Sequence, residues 1–337
     1  MSSIPETERI AKAVARQLHK RGEQMVKVIC VGNLVADAVA RPVCELPAKG
    51  KLSLVDDLQL HSGGCAANTG AALAKLGVAT AVVGKVGQDG FGDFMVDALS
   101  RAGLDVSGIS RSAAYHTSAS LVLVAPDGER SFIHALGANQ ELADTDVLDS
   151  QLAGGKILHV AGSFLLPKLD GQPTGRLLKR AHSLGLTTAL DTAWDAQGRW
   201  ASLLLPVLGE IDIFLPSIEE AKMITGLEKP QEIAAFFLER GVKIIGLKMG
   251  AEGSYVRDVA AEYWLPPYKV EAIDATGAGD SFVAGFLAGV VHNWDLERTG
   301  KFANAVGASC VTAIGATSGI RSWEETVRFM ETGQWAG

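Results

Sequence analysis

Cysteine is scarce and scattered in this 337-residue sequence: Cys30, Cys44, Cys65 and Cys310 are the only four, and no two form a C-x-x-C pair. No histidine stands near them at zinc-ligand spacing, so the pattern argues against both a disulfide framework and a zinc site. Scattered thiols suit a reducing cytoplasm. Positive charge is also in short supply: 31 Lys and Arg face 38 Asp and Glu, a net charge of −7. That argues against a general nucleic-acid binder, which would show a basic face. It leaves room for an anionic ligand held by local groups. No apolar run approaches the roughly 20 residues a spanning helix needs, so no membrane association is expected. The longest such run lies within 282–291. The N-terminal "MSSIPETERI" is polar and acidic, unlike a signal peptide. There is no internal repeat, no low-complexity linker and no G-x-x-x-x-G-K-[ST]. "GQDGFG" at 87–92 departs from G-x-G-x-x-G, and no clean dinucleotide fingerprint follows the first apolar run. The protein-kinase signature set is missing as well.

What is present is a chain with 47% hydrophobic residues, long enough for two domains or one large α/β domain. Within 5–24, Ile10, Val14 and Leu18 recur at i, i+4, i+8, the pattern of an amphipathic helix, read here as an N-terminal extension over 1–24. "VKVICVGN" (26–33) is a nearly unbroken apolar run ending in a turn, as in a buried parallel strand. The same grammar recurs at 79–87, 156–162, 186–191, 211–216 and 243–250, with helical stretches between. Alternating strands and helices predict one open α/β sheet covered on both faces, with ligands beyond the carboxyl ends of its strands. Residues 51–61 and 117–134 break the pattern, the second reading as two strands around a "PDGE" turn. They predict a small antiparallel flap outside the main sheet, a candidate lid.

The most unusual stretch is "AIDATGAGDSFVAGFLAG" (272–289). Asp274 follows an apolar "VEAI", read as a strand end, and Thr276 to Gly279 form a turn of small residues before a helix. Glycines let a backbone come close to a ligand, and amides at a helix start favour negative charge. Gly277, Ala278 and Gly279 thus make a cradle for phosphate. Asp280 on its rim would repel a bound anion but could take a proton from an attacking hydroxyl. An acid that merely serves the helix dipole is the competing reading. The small residues of the following helix, Ala284, Gly285, Ala288 and Gly289, permit close packing on the sheet.

In "HSGGCAANTGAALAKLG" (61–77), Gly64 lies in a tight turn and Asn68 at a helix start, where it serves either a sugar hydroxyl or the helix cap. Cys65 reads as a small filler. Asp37 could accept hydrogen bonds from adjacent hydroxyls or cap a turn. Glu219 and Glu220 suit the first turn of a helix, or one of them a magnesium–phosphate complex through water. Gly250 and Gly253 in "LKMGAEGSYV" make a turn where a nucleotide could lie.

Together these stretches resemble the ribokinase-like, or PfkB, family of carbohydrate kinases over residues 25–325, leaving 326–337 as a C-terminal tail. The resemblance rests on "GGCAANTGAALAKLG" and "DATGAGDSFVAGF", supported by "GQDGFGDFM", "PSIEEAKMITG" and "FANAVGASCVTAIGA". It implies a three-layer sandwich with a mainly parallel central sheet and a β lid built from segments near 38–61 and 113–136. It implies an ATP-dependent kinase for a sugar or sugar-like hydroxyl, with Asp280 as base and Gly277, Ala278 and Gly279 as the anion hole. Asp37, Gly64 and Asn68 match positions that hold the acceptor. Lys248, Gly250, Gly253 and Asn304 match the nucleotide pocket, and Glu220 the acid linked to magnesium. Asp274 and Thr276, with carbonyls near Gly315, match a monovalent-cation site that takes potassium. Ser217 departs from the family's N-x-x-E, which bears on the magnesium details. Gly70 and Ala275 replace commoner residues and read as packing changes. A homodimer joined through the lid is implied. A nucleoside kinase, a sugar-phosphate kinase and a binding regulator on a dead kinase scaffold are the alternatives.

Overall fold

The structure is a computed structural model that describes residues 26–335, so the helical extension expected over 1–24 lies outside the described residues. From the start of the described chain, β1 (Val28–Gly32) is followed by β2 (Val35–Arg41), β3 (Asp57–Gly63), α1 (Cys65–Lys75), β4 (Thr80–Gly87), α2 (Gly90–Arg101) and β5 (Asp105–Ser112). Then come β6 (Ala119–Val124), β7 (Arg130–Ala135), α3 (Asp149–Leu152), β8 (Ile157–Ser163), α4 (Gln172–Ser183), β9 (Thr187–Thr192) and α5 (Trp200–Leu204). The rest is β10 (Ile213–Phe214), α6 (Ile218–Thr225), α7 (Pro230–Leu238), β11 (Ile244–Lys248), β12 (Ser254–Arg257), β13 (Glu262–Leu265), α8 (Ala278–Val291), α9 (Leu296–Cys310) and α10 (Trp323–Thr332).

Among the described residues, nine strands form one sheet in the order β13-β12-β11-β10-β9-β8-β1-β4-β5. Pairing is parallel from β5 through β11, and only the β11–β12 and β12–β13 pairs are antiparallel. The runs at 26–33, 79–87, 156–162, 186–191, 211–216 and 243–250 each supply a strand, because a strand covered on both faces favours a nearly continuous apolar sequence. One face is sealed by Ala66, Leu73, Phe282, Phe286 and Phe302, the other by Leu177, Leu178, Phe214 and Phe237, all buried. Strand order reverses at β1, which lies between β4 and β8, and such a switch opens a crevice at the strands' carboxyl ends.

From that crevice the chain leaves the main sheet. Only Asn33 and Leu34 separate β1 from β2, the first strand of a second sheet ordered β3-β2-β6-β7. Asn139 pins this exit: its amide accepts from the Leu34 N–H at 3.1 Å and donates to the Leu34 carbonyl at 3.0 Å. The β2–β3 and β6–β7 pairs are antiparallel and join through a parallel β2–β6 contact.

One local expectation differs from what forms, and three details add to the sequence reading. Residues 270–273 are not a strand; the Ile273 and Asp274 amides instead bond the Val311 carbonyl beyond α9. The boundary at 325 falls inside α10, whose Phe329 is buried. The glycines of α8 face α9 as well as the core: a Cβ on Gly285 would stand 2.9 Å from the Ala303 Cα, and one on Gly289 2.9 Å from Thr299. Finally, β5 carries the polar stretch "DVSGISRS", whose mixed composition hid an edge strand.

Candidate active site

The turn before α8 lies over the sheet's carboxyl edge. Gly277 is the N-cap, with φ 75°, and a Cβ there would come within 2.4 Å of the Ala316 carbonyl. Left-handed backbone and that close approach both require glycine. The first i→i−4 bond of the helix runs from the Ser281 N–H to the Gly277 carbonyl at 2.8 Å. The Gly279 and Asp280 amides precede it, and no side chain caps them. Unpartnered amides at a helix start are an anion cradle.

Asp280 is the third residue of α8, and its Oδ2 accepts from Asn68 Nδ2 at 2.8 Å. Asn68 is therefore not the cap of α1, a place Gly64 takes with φ 94°. The bond spans 212 residues of chain and brings the two motifs together. Burial pushes the Asp280 carboxyl above the usual carboxylate range, while Asn68 and Lys248 pull against it. Cys65, beyond the cap, is held by Asn33, whose Oδ1 accepts its N–H at 3.0 Å. Burial, and then Asp280, raise the Cys65 thiol well above its ordinary value, so it stays protonated.

Lys248 comes from the end of β11, and a Cβ on Gly279 would stand 3.6 Å from its Nζ. The ammonium pairs with Asp191 Oδ1 at 2.6 Å, at the end of β9. Burial works against the charged lysine, but Asp191 and Glu220 outweigh it and hold its pKa up. Burial pushes Asp191 up to about 7, with Lys248 opposing. Asp191 was missed in the sequence; the signal available was an acid closing an apolar run. Glu220 lies buried beside this pair, and its Oε2 accepts from Thr192 Oγ1 and the Ser217 N–H, each at 2.9 Å. Ser217 returns a capping bond to the Glu220 N–H at 3.2 Å, which explains how serine serves here. Among the described residues no three His, Cys, Asp or Glu side chains converge as a metal cage. Two neighbouring carboxylates with no cage fit magnesium carried mainly by phosphate and water.

Gly250 (φ 57°) and Gly253 (φ 92°) turn the chain between β11 and β12. A Cβ on Gly253 would meet the Leu265 carbonyl at 2.1 Å, and Asn304 on α9 donates to the Leu265 and Pro266 carbonyls, both at 3.1 Å. These three expected nucleotide residues thus converge on one wall, while Lys248 points to the centre.

The second sheet carries the acceptor candidates. Asp37 pairs across strands with His61 and with Ser120, and Ser120 with His134, so His61, Asp37, Ser120 and His134 form one row on one face. Ser120 Oγ and His134 Nδ1 are 3.0 Å apart. Burial raises the Asp37 carboxyl, and Ser120, His134 and His61 offset part of that. A Cβ on Gly63 would fall 2.0 Å from Asp37 Oδ2, so the glycine pair gives the carboxylate its room.

Asp274 is held on all sides. Its Oδ1 accepts from the Thr276 N–H and its Oδ2 from the Gly315 N–H, both at 2.8 Å. Arg130 at the start of β7 pairs its Nη2 with Asp274 Oδ2 at 2.6 Å, and its Nη1 donates to Thr276 Oγ1. Burial would push Asp274 up, but these hydrogen bonds hold it below the usual range. Arg130 was not singled out in the sequence, where it reads as part of a hairpin turn.

The comparisons with known proteins converge on one family. Residues 25–323 match the family described as pfkB family carbohydrate kinase. A ribokinase of Haemophilus influenzae is 30% identical over 310 residues, covering 89% of this chain and 97% of that protein. A 2-dehydro-3-deoxygluconokinase of Bacillus subtilis is 26% identical, covering 83% and 90%. The crystal structure of a ribokinase from Thermotoga maritima superposes with a TM-score of 0.79 at 26% identity, covering 91% of this chain and 100% of that one. With almost the whole described chain matched, the fold is the ribokinase fold, and the chain belongs to the pfkB family of carbohydrate kinases.

Proposed function

We propose that this chain transfers the terminal phosphoryl group of ATP to a hydroxyl of a free sugar or sugar acid. The observation that carries this reading is Asp280, set at the mouth of the amide cradle with one oxygen held by Asn68. Asp280 takes the hydroxyl proton on its other oxygen. The freed oxygen bonds to the terminal phosphorus, and the bond from that phosphorus to the bridging oxygen of ADP breaks, ADP keeping the electron pair. The amides of Gly277, Gly279 and Asp280 and the Lys248 ammonium meet the charge that spreads over the moving group, whereas the Ala278 N–H, expected in the same role, is given to the Ala275 carbonyl at 3.2 Å. Magnesium bound with the nucleotide would spread the phosphate charge, and Glu220, through water, with Asp191 would hold it. Asn304, Gly250 and Gly253 line the nucleotide wall. Asp37, Asn68 and Gly64 hold the acceptor.

The acceptor class follows from the lid. The row of His61, Asp37, Ser120 and His134 offers carboxylate, hydroxyl and imidazole to vicinal hydroxyls or a carboxylate. On that face the aromatic contribution is Phe132, 60% exposed, with no tryptophan to sandwich a base. Base stacking is typically worth about 1–3 kcal/mol. A sugar or sugar acid is therefore expected to beat any nucleoside by at least about tenfold in kcat/KM, which asks for only roughly 1.4 kcal/mol. A competition assay with ATP and magnesium across sugars, sugar acids and nucleosides tests this; adenosine, inosine or cytidine winning would move the chain to a nucleoside branch.

The opposite face of the lid carries Leu60, Leu121 and Ile133 in one exposed cross-strand row. A second copy covering that row, giving a homodimer, is our reading, and mass by light scattering reports it. The four free thiols suit a cytoplasmic setting. Among the described residues no helix is long and apolar enough to cross a membrane.

A further inference from the structure

We propose that the Arg130 guanidinium takes the place of a monovalent cation at Asp274, so that closing the lid, and not binding potassium, completes the phosphate-binding turn. This rests on the kinase reading above. The Asp274 side chain is 1% exposed, and Arg130, at 22%, is its ion-pair partner. A carboxylate that buried needs a counter-ion. The guanidinium is planar, always charged and able to bridge two acceptors, and here it grips both Asp274 and Thr276, the two side chains that a cation site would use.

The surrounding oxygens tell the same story. Both carboxylate oxygens of Asp274 already accept backbone N–H groups, from Thr276 and from Gly315. The Cys310 sulfur lies 3.4 Å from the Thr276 carbonyl and 3.1 Å from the Ala316 carbonyl, and its single proton is shared between them. An oxygen cage whose members already hold donors, with a fixed positive charge among them, does not fit a second cation.

The consequence concerns the turn. Asp274 fixes the amides of Thr276 and Gly315, and Gly277 packs against Ala316, so these contacts set the path of residues 274–279. Arg130 belongs to β7 of the lid, and its contact with Thr276 spans 146 residues. Lid closure and turn order are thereby one event, and Arg130 is a positioning residue.

Two readouts test this on the full chain: thermal unfolding, and turnover with the acceptor found by assay, each in potassium chloride and in choline chloride at equal ionic strength. The wild type is expected to show the same Tm and the same turnover in both salts. Arg130→Ala is expected to lose about 10- to 100-fold in kcat, the scale of one charge-assisted hydrogen bond. It should also gain a Tm increase specific to potassium and recover turnover with added guanidinium ion. Arg130→Lys, which keeps a charge, should fall between the two. A wild type whose Tm or turnover rises specifically with potassium overturns the proposal, as does an Arg130→Ala chain with normal turnover and no salt response. Tm needs no acceptor: the expected Tm pattern without turnover on any acceptor would support the cation replacement and defeat the kinase reading.

Discussion

Lys248 lies among Asp191, Glu220 and Asp280, and its charge works against the burial that raises the Asp191 and Asp280 carboxyls. On the proposed reading Asp280 is the base, and a base must be charged to accept a proton. Because burial raises the Asp280 carboxyl, kcat/KM should fall with falling pH at a midpoint above the ordinary carboxylate range. Replacing Lys248 by Met removes the charge that favours ionised Asp191 and Asp280, so both carboxyls should be pushed further up. The acid limb of the pH–rate profile should then move to higher pH, with kcat lowered as well. The Lys248 and Asp191 side chains are 13% and 2% exposed, and breaking a buried pair costs about 3–5 kcal/mol. Urea unfolding should show a loss on that scale; an unchanged midpoint and profile would mean the pair is incidental. Asp280 and Asn68 were legible as residues with two possible roles each, but their contact was not, since sequence spacing says nothing about partners 212 residues apart. Asp191 and Arg130 escaped for the same reason: each gains its meaning from a partner on another element.

Among the elements, the lid's second attachment depends on Asp89, the N-cap of α2. Its carboxylate accepts from the Gly92 N–H at 2.9 Å, the Thr117 N–H at 2.8 Å and Thr117 Oγ1 at 2.6 Å. Burial opposes its charge, but these bonds prevail and lower Asp89 to about 2. A depressed acid stabilises the fold above its unfolded pKa and loses that contribution as pH falls through its folded pKa. The window is thus from about pH 4 down to about 2, and its full value is roughly 2 kcal/mol. Asp89→Ala should lose that amount at neutral pH and flatten this part of the stability profile in denaturant titrations. The lid itself should respond to its ligand: amide exchange over β6 and β7 should slow with saturating acceptor. Unchanged exchange with a proven substrate would make the lid a bystander. The β6–β7 hairpin was readable from its turn residues, whereas β2 was not, because "VADAVAR" follows β1 with only two residues between and gives no break. The apparent strand at 270–273 misled because a short stretch of three apolar residues and Glu271 can also serve as coil tied to a neighbouring helix end.

At the scale of the whole molecule, the alternation of apolar runs and helices conveyed the parallel sheet, since burial on both faces writes itself into composition. The order of strands and the switch at β1 did not show in the sequence, because crossovers depend on which helix covers which face. Both specific motifs end at that switch, one through Gly64 and Asn68 on α1 and the other through Gly277 and Asp280 on α8. The fold's contribution to the chemistry is to bring these two helix starts together over β1. The most direct measurement is single-turnover phosphoryl transfer by Asp280→Asn, with ATP binding followed by calorimetry on the same sample. The substitution keeps the shape and removes the proton acceptor. The account predicts a rate lower by about 10²–10⁴-fold with ATP affinity retained. Transfer at close to the wild-type rate would contradict it.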